Sequence, residues 1–146
     1  MNKRIKSLIL KIDENFKPAI PEKGDEYYPN GFFVFNITKM LEFIDDSKDK
    51  IELENISVKE YRRGTAVLNE DHVDKVDIGK PIILAEISPG KHNVIDGNHR
   101  IEKAYRMGKE TIPAYILTAR QHLPFLTTVE AYHAYVKYWN DKLNEI

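Results

Sequence analysis

The chain contains no cysteine. Disulfides, thiolate nucleophiles, Cys-ligated zinc and iron–sulfur clusters are therefore excluded. No apolar run approaches the ~20 residues of a membrane-spanning helix. Near the N-terminus only Ser7-Leu8-Ile9-Leu10 separates Lys6 from Lys11, too short for the apolar part of a signal peptide. The expectation is a cytoplasmic protein with no membrane partner. An excess of charge is also missing: 22 Lys and Arg face 23 Asp and Glu, for a formal charge of -1. A protein held on duplex DNA by bulk positive charge would be more basic. There is no internal repeat, no P-loop, no Gly-x-Ser-x-Gly elbow and no His-Glu-x-x-His pair. The five histidines have no dense ligand spacing, so a zinc site is not expected.

What is present suits one domain. The 146 residues are 42% hydrophobic and 10% aromatic, enough for a core and within the ~100–200 residues of a single unit. Ile5, Leu8, Ile9, Ile12 and Phe16 fall on one helical face, predicting a helix over about 3–15 that Pro18 ends. Residues 17–31 carry three prolines and two glycines and read as a loop. Phe32-Phe33-Val34-Phe35 has strand character, and Asn36 is placed to cap a helix with Ile37, Met40, Leu41 and Ile44 on one side.

Residues 51–56 alternate as a half-buried strand. Tyr61-Arg62-Arg63-Gly64 follows as a loop. Asn69 caps a short helix over 69–78, with Gly79 ending it in a left-handed conformation. Residues 81–87 and 92–95 form a hairpin about Ser88-Pro89-Gly90-Lys91. Residues 111–117 read as another strand, in which Pro113 requires an edge or a bulge. Thr127-Thr128-Val129-Glu130 resembles a capping box. It opens a C-terminal helix over 127–146 with Val129, Tyr132, Val136, Trp139 and Leu143 along one side. Helices mixed with clustered hairpin strands give an α+β class.

The junction at 94–108 carries the chemistry. Strand 92–95 runs into Asp96-Gly97-Asn98-His99-Arg100, and a helix ending near Gly108 follows. Helix N-terminal amides lack intrahelical partners and attract anions. Gly97 allows a tight turn and close approach of a phosphate. Arg100 offers a fork of donors, His99 a donor or proton carrier, and Asn98 both donor and acceptor. A carboxylate beside a phosphate is repulsive, so Asp96 makes sense as a magnesium ligand or as the partner of a hydroxyl receiving the phosphoryl group. Asp-Gly before a helix is equally an ordinary structural turn.

Ile95-Asp96-Gly97-Asn98-His99-Arg100-Ile101-Glu102-Lys103-Ala104, then Gly108 and Thr111-Ile112-Pro113-Ala114, resembles the signature of the ParB/sulfiredoxin superfamily. Ile78-Gly79-Lys80-Pro81-Ile82-Ile83-Leu84 is similar to its Gly-Gln-x-x-Pro-Ile segment, and 56–63 to its first strand and Arg-containing loop. The resemblance covers about 51–118, leaving an N-terminal helical extension over 1–50 and a C-terminal helix. It implies a small mixed sheet with flanking helices and places nucleotide phosphates at Gly97, Asn98, His99 and Arg100. The cofactors implied are a nucleoside triphosphate, ATP or CTP, and Mg2+.

Sulfiredoxin chemistry needs a cysteine where this chain has Asn98. CTP-hydrolysing partition proteins carry Gly-Glu-Arg-Arg at the turn and a helix-turn-helix domain after it. The family's free serine kinase has Asp-Gly-His-His-Arg, nearest to the present turn. Its catalytic aspartate matches Asp96, and Glu60 stands best for its upstream glutamate. Arg62, Arg63 and Lys80 are further candidates for phosphate contact, each also readable as a solvated cation. The expected function is NTP hydrolysis or phosphoryl transfer to a small hydroxyl acceptor. The alternative is a DNA-associated partition-type or nuclease-like regulator. Tyr132, Tyr135, Tyr138 and Trp139, interleaved with Lys137 and Lys142, either stack bases or pack on the body or a protein partner. The first helix docks on the core or forms a homodimer contact.

Overall fold

The computed structural model describes residues 3–63 and 68–146. Its elements are α1 (Lys3–Leu8), β1 (Tyr27–Asn30), β2 (Phe33–Asn36), α2 (Ile37–Asp46), β3 (Glu52–Ser57), α3 (Val58–Tyr61), α4 (Glu70–Lys75), β4 (Ile82–Ser88), β5 (Lys91–Asp96), α5 (Asn98–Arg106), β6 (Thr111–Leu117), α6 (Ala119–His122) and α7 (Val129–Leu143). This is an α+β fold: a two-stranded antiparallel sheet, a four-stranded mixed sheet ordered β3-β6-β4-β5, and flanking helices. The chain divides into two compact units, 1–48 with 86–92 and 118–146, and 49–85 with 93–117. Among the described residues no helix is long and apolar enough to cross a membrane.

In the first unit, α2 starts where expected. The Asn36 side chain accepts the Lys39 N–H, and Ile37, Met40 and Ile44 bury one stripe while Leu41 stays exposed. Residues 17–31 are not all loop. Tyr27–Asn30 pairs with β2 across Gly31, whose φ of 63° suits the first central position of a two-residue hairpin. The first helix stops at Leu8 rather than 15. Beyond it the backbone is held by α7 side chains: Asn140 accepts the Leu10 N–H and donates to the Leu10 carbonyl, at 2.9 and 2.8 Å, and the Tyr132 hydroxyl accepts the Asp13 N–H at 2.7 Å. Phe16 stacks on Tyr132 with centroids 4.1 Å apart.

The cap of α7 is Thr128, which accepts the Ala131 N–H. The box expected with Glu130 does not form, since the Thr127 N–H that Glu130 would reach donates to the Val34 carbonyl. A capping box occurs instead at Thr118 and Gln121, at the start of α6. Tyr132, Tyr135 and Trp139 are buried, so these rings serve packing rather than an exposed stacking surface, while Val129 is exposed.

In the second unit, β6 pairs antiparallel with β3 and parallel with β4. Its core is Ile56, Val58, Ile82, Leu84, Val94, Ile101, Ala104, Ile112 and Ala114. Pro113 lies in a central strand, not at an edge. It is tolerated because the ladder to β4 begins one residue later, at Ala114 opposite Ile82. The half-buried pattern expected of β3 is absent: residues 52–55 are exposed and only Ile56 is buried. Tyr61 closes the short helix α3 instead of opening a loop, and Gly64 lies outside the described residues. Helix α4 has Asn69 as its cap, as expected, but ends at Lys75. Gly79 is not left-handed; Asp77 Oδ1 accepts its N–H at 2.8 Å in a local turn.

Candidate functional site

Strand β5 delivers Asp96, and Gly97 turns the chain into α5 with φ 115° and ψ 18°. A side chain at this position is excluded twice. The backbone is left-handed, and an added Cβ would lie 2.3 Å from Ile82 Cγ2. Gly97 begins the helix by accepting the Ile101 N–H at 3.0 Å. No side chain caps α5, unlike α2, α4, α6 and α7, where Asn or Thr does. The positive end of the α5 dipole therefore meets no capping oxygen from its own cap residue.

Around this turn the side chains form a short polar row. Arg100 donates from Nη1 to the Pro81 carbonyl at 2.8 Å, and its Nη2 lies 3.6 Å from Asp96 Oδ2. Both side chains are largely buried, at 19% and 29% exposure. His99 accepts the Asn69 N–H at Nε2, at 3.3 Å. Its ring stands perpendicular to that of His72, with centroids 4.4 Å apart. Burial, and then the neighbouring His72, hold His99 below the ordinary histidine range. Asn98 is half-buried.

Asp96 through Arg100 are thus held on one turn. Arg62 takes a different place. Its Nε donates to Glu102 Oε1 at 2.7 Å, and its guanidinium lies over the Tyr105 ring, 3.9 Å from the centroid. The bond to Glu102 raises its pKa further. Glu102 is buried and also accepts from Arg106 Nε at 3.1 Å, while Arg106 is forked onto Glu70 at 2.6 and 3.0 Å. Glu60, Arg63 and Lys80 are exposed, on α3, just after it and just before β4 respectively. A groove of about 830 Å³ opens at the C-terminal end of α5, lined by Lys59, Arg62, Tyr105 and Lys109 among others.

Three of these contacts leave little trace in the sequence. Asn69 is legible as a cap but not as a donor to His99, because the residues stand 30 apart. His72 has no local signal beyond its place three residues after that cap. Glu102 is visible only as an i,i+4 partner of Arg106. Among the described residues no group of three or more His, Asp or Glu side chains is arranged to hold a metal ion. A cage built from protein ligands alone does not fit. A single carboxylate such as Asp96 holds Mg2+ in the usual way only together with phosphate oxygens and water. No protein-family model matches the chain, and no curated protein matches it.

Proposed function

We propose that the chain binds a nucleoside triphosphate with its phosphates at the β5–α5 turn, and hydrolyses it or moves the terminal phosphoryl group to a small hydroxyl acceptor. The observation that carries this reading is the turn itself. Gly97 sits left-handed against Ile82 with no side-chain cap on α5, and a histidine and an arginine occupy the first turn. Amide N–H groups at such an end bind anions without a charged lysine cradle.

In this reading the amides of the first α5 turn hold phosphate oxygens. His99 donates from the ring nitrogen not used by Asn69, and Arg100 contributes the N–H groups left over from Pro81 and Asp96. The Arg100 contacts hold the guanidinium beside the turn in advance, so little side-chain entropy is lost on binding. Asp96 serves as the base that accepts the proton of the attacking hydroxyl or water, the role a positioned carboxylate plays in phosphoryl transfer. Bound with the nucleotide, Mg2+ would neutralise developing phosphate charge.

The test is a thermal-shift panel of ATP, CTP, GTP and UTP, each with and without magnesium, followed by phosphate release. At a hundredfold excess over Kd one triphosphate stabilises by about 2.7 kcal/mol, a rise of several degrees. Asp96→Asn should keep that rise and lose turnover by at least about a hundredfold. No rise with any nucleotide removes the reading, and unchanged turnover in Asp96→Asn removes Asp96 from the mechanism.

A further inference from the structure

His72 and His99 come from two helices docked at several points. The Asn69 N–H donates to His99 Nε2, Lys103 Nζ donates to the carbonyls of Asp74 and Val76 at 2.9 and 2.8 Å, and Arg106 is forked onto Glu70. An imidazole nitrogen that accepts an N–H carries no proton of its own. Neutral His99 is therefore the Nδ1–H tautomer, with that donor free of the Asn69 contact. Protonating Nε2 would set two N–H groups against each other and lose the bond.

Burial, and then the His72 ring perpendicular to it at 4.4 Å, oppose a charge on His99. The other charged groups on the elements meeting here are engaged or exposed. Asp96 pairs with Arg100, and Glu102 with Arg62 and Arg106. Glu70 and Lys103 are held as described, and Asp71, Asp74, Lys75 and Arg63 are exposed.

We infer that His72 is a positioning residue that governs the protonation of His99: its ring, perpendicular to that of His99 at 4.4 Å, disfavours the His99 imidazolium, which forms when an anion occupies the α5 turn. The ligand-linked part rests on the phosphate-binding reading above, whereas the coupling of the rings does not. A bound phosphate stabilises an imidazolium beside it and so repays the lost Asn69 bond. Nucleotide binding then draws in a proton near neutral pH and tightens as pH falls toward the histidine range. Nothing else enters or leaves; the proton comes from solvent.

The experiment is a pH titration of the imidazole signals by NMR in the full chain, wild type, His72→Gln and His72→Phe, without ligand and with ATP, CTP, GTP or UTP. Long-range proton–nitrogen spectra locate the ring proton. Gln is an accepted residue three positions after a cap, and the backbone N–H that Asn69 accepts from position 72 is retained, so the variant should fold. Wild-type His99 is expected to carry its proton on Nδ1 and to titrate below the ordinary histidine range. In His72→Gln its midpoint should rise, and in His72→Phe, which keeps an aromatic ring against His99 and removes the ionisable group, it should rise as well, a change that lost burial alone would not produce. At least one of the four triphosphates should raise the midpoint in every protein. A proton on Nε2, or a midpoint unmoved by His72→Gln or by His72→Phe, overturns the inference. A midpoint that responds to His72→Gln and His72→Phe but to none of ATP, CTP, GTP and UTP at millimolar concentration leaves the ring coupling standing and overturns the turn as a phosphate site, together with the ligand-linked proton uptake.

Discussion

A Cβ atom at position 97 would meet Ile82 at 2.3 Å on a backbone with φ 115°, so Gly97→Ala combines left-handed strain with overpacking. The expected loss is about 3 kcal/mol, read as a fall in the urea midpoint. Gly90 is the control: it has φ 77° and nothing within 4 Å of an added methyl, so Gly90→Ala should cost only about 1 kcal/mol. Equal losses would mean that the contact with Ile82 carries no weight.

His122 presents the opposite problem, a titratable ring with no exposure. Its Nε2 lies 2.7 Å from the Glu86 carbonyl and must donate to it, which leaves Nδ1 buried with no hydrogen-bond partner. Burial pushes its pKa down to about 4. The unfolded chain binds this proton at about 6.5, so the unfolded state holds more protons between the two values. Stability is full above pH 7 and declines by about 3 kcal/mol as pH falls to 4. Glu70 and Glu102, whose carboxyl values are lowered by their arginines, contribute only at lower pH, below the ordinary carboxylate range. Urea melts between pH 7 and 4.5 should show the decline in wild type and a smaller one in His122→Phe. Identical slopes would show that His122 is not the group responsible.

At the scale of elements, one buried carboxylate joins three helical segments. Glu102 of α5 receives Arg62 from the end of α3 and Arg106 from its own helix, and Arg106 in turn holds Glu70 of α4. Glu102→Gln keeps the shape and removes the charge, leaving two partly buried guanidiniums less well compensated. The expected cost is about 2 kcal/mol, below the figure for a fully buried pair because both arginines touch solvent; chemical denaturation at pH 7 measures it, and no loss would show that the cluster only orients α5.

Local and distant causes separate what the sequence reveals from what it hides. Asn36, Asn69 and Thr128 reveal helix starts because a cap acts within three residues. The β5–turn–α5 unit is legible for the same reason: Asp-Gly, the helical face and Gly108 are all local. By contrast, α1 ends early because α7, 130 residues away, supplies Asn140 to the Leu10 backbone, and no local pattern reports that. Strand β1 is hidden by its proline although Asn30-Gly31 is a hairpin signal. Arg62 is legible as a cation in the loop after β3, but its bond to Glu102, 40 residues on, is not.

For the molecule as a whole, charge balance separates the small-nucleotide reading from the DNA-associated one. With 22 cationic and 23 anionic side chains, duplex binding would have to come from a local patch. The exposed cations Lys59, Arg63, Lys80 and Lys109 are interrupted by exposed Glu60 and Glu110. Counterion release gives each neutralised phosphate a slope of about −0.9 in log affinity against log salt. The expectation from anisotropy with a labelled duplex, titrated from about 50 to 200 mM salt, is weak retention and a slope shallower than about −2. ATP binding at one turn should depend on salt no more than that. A slope near −6 would mean that the scattered cations act as one surface despite the acids among them, and a DNA-binding function would then replace the phosphoryl-transfer reading.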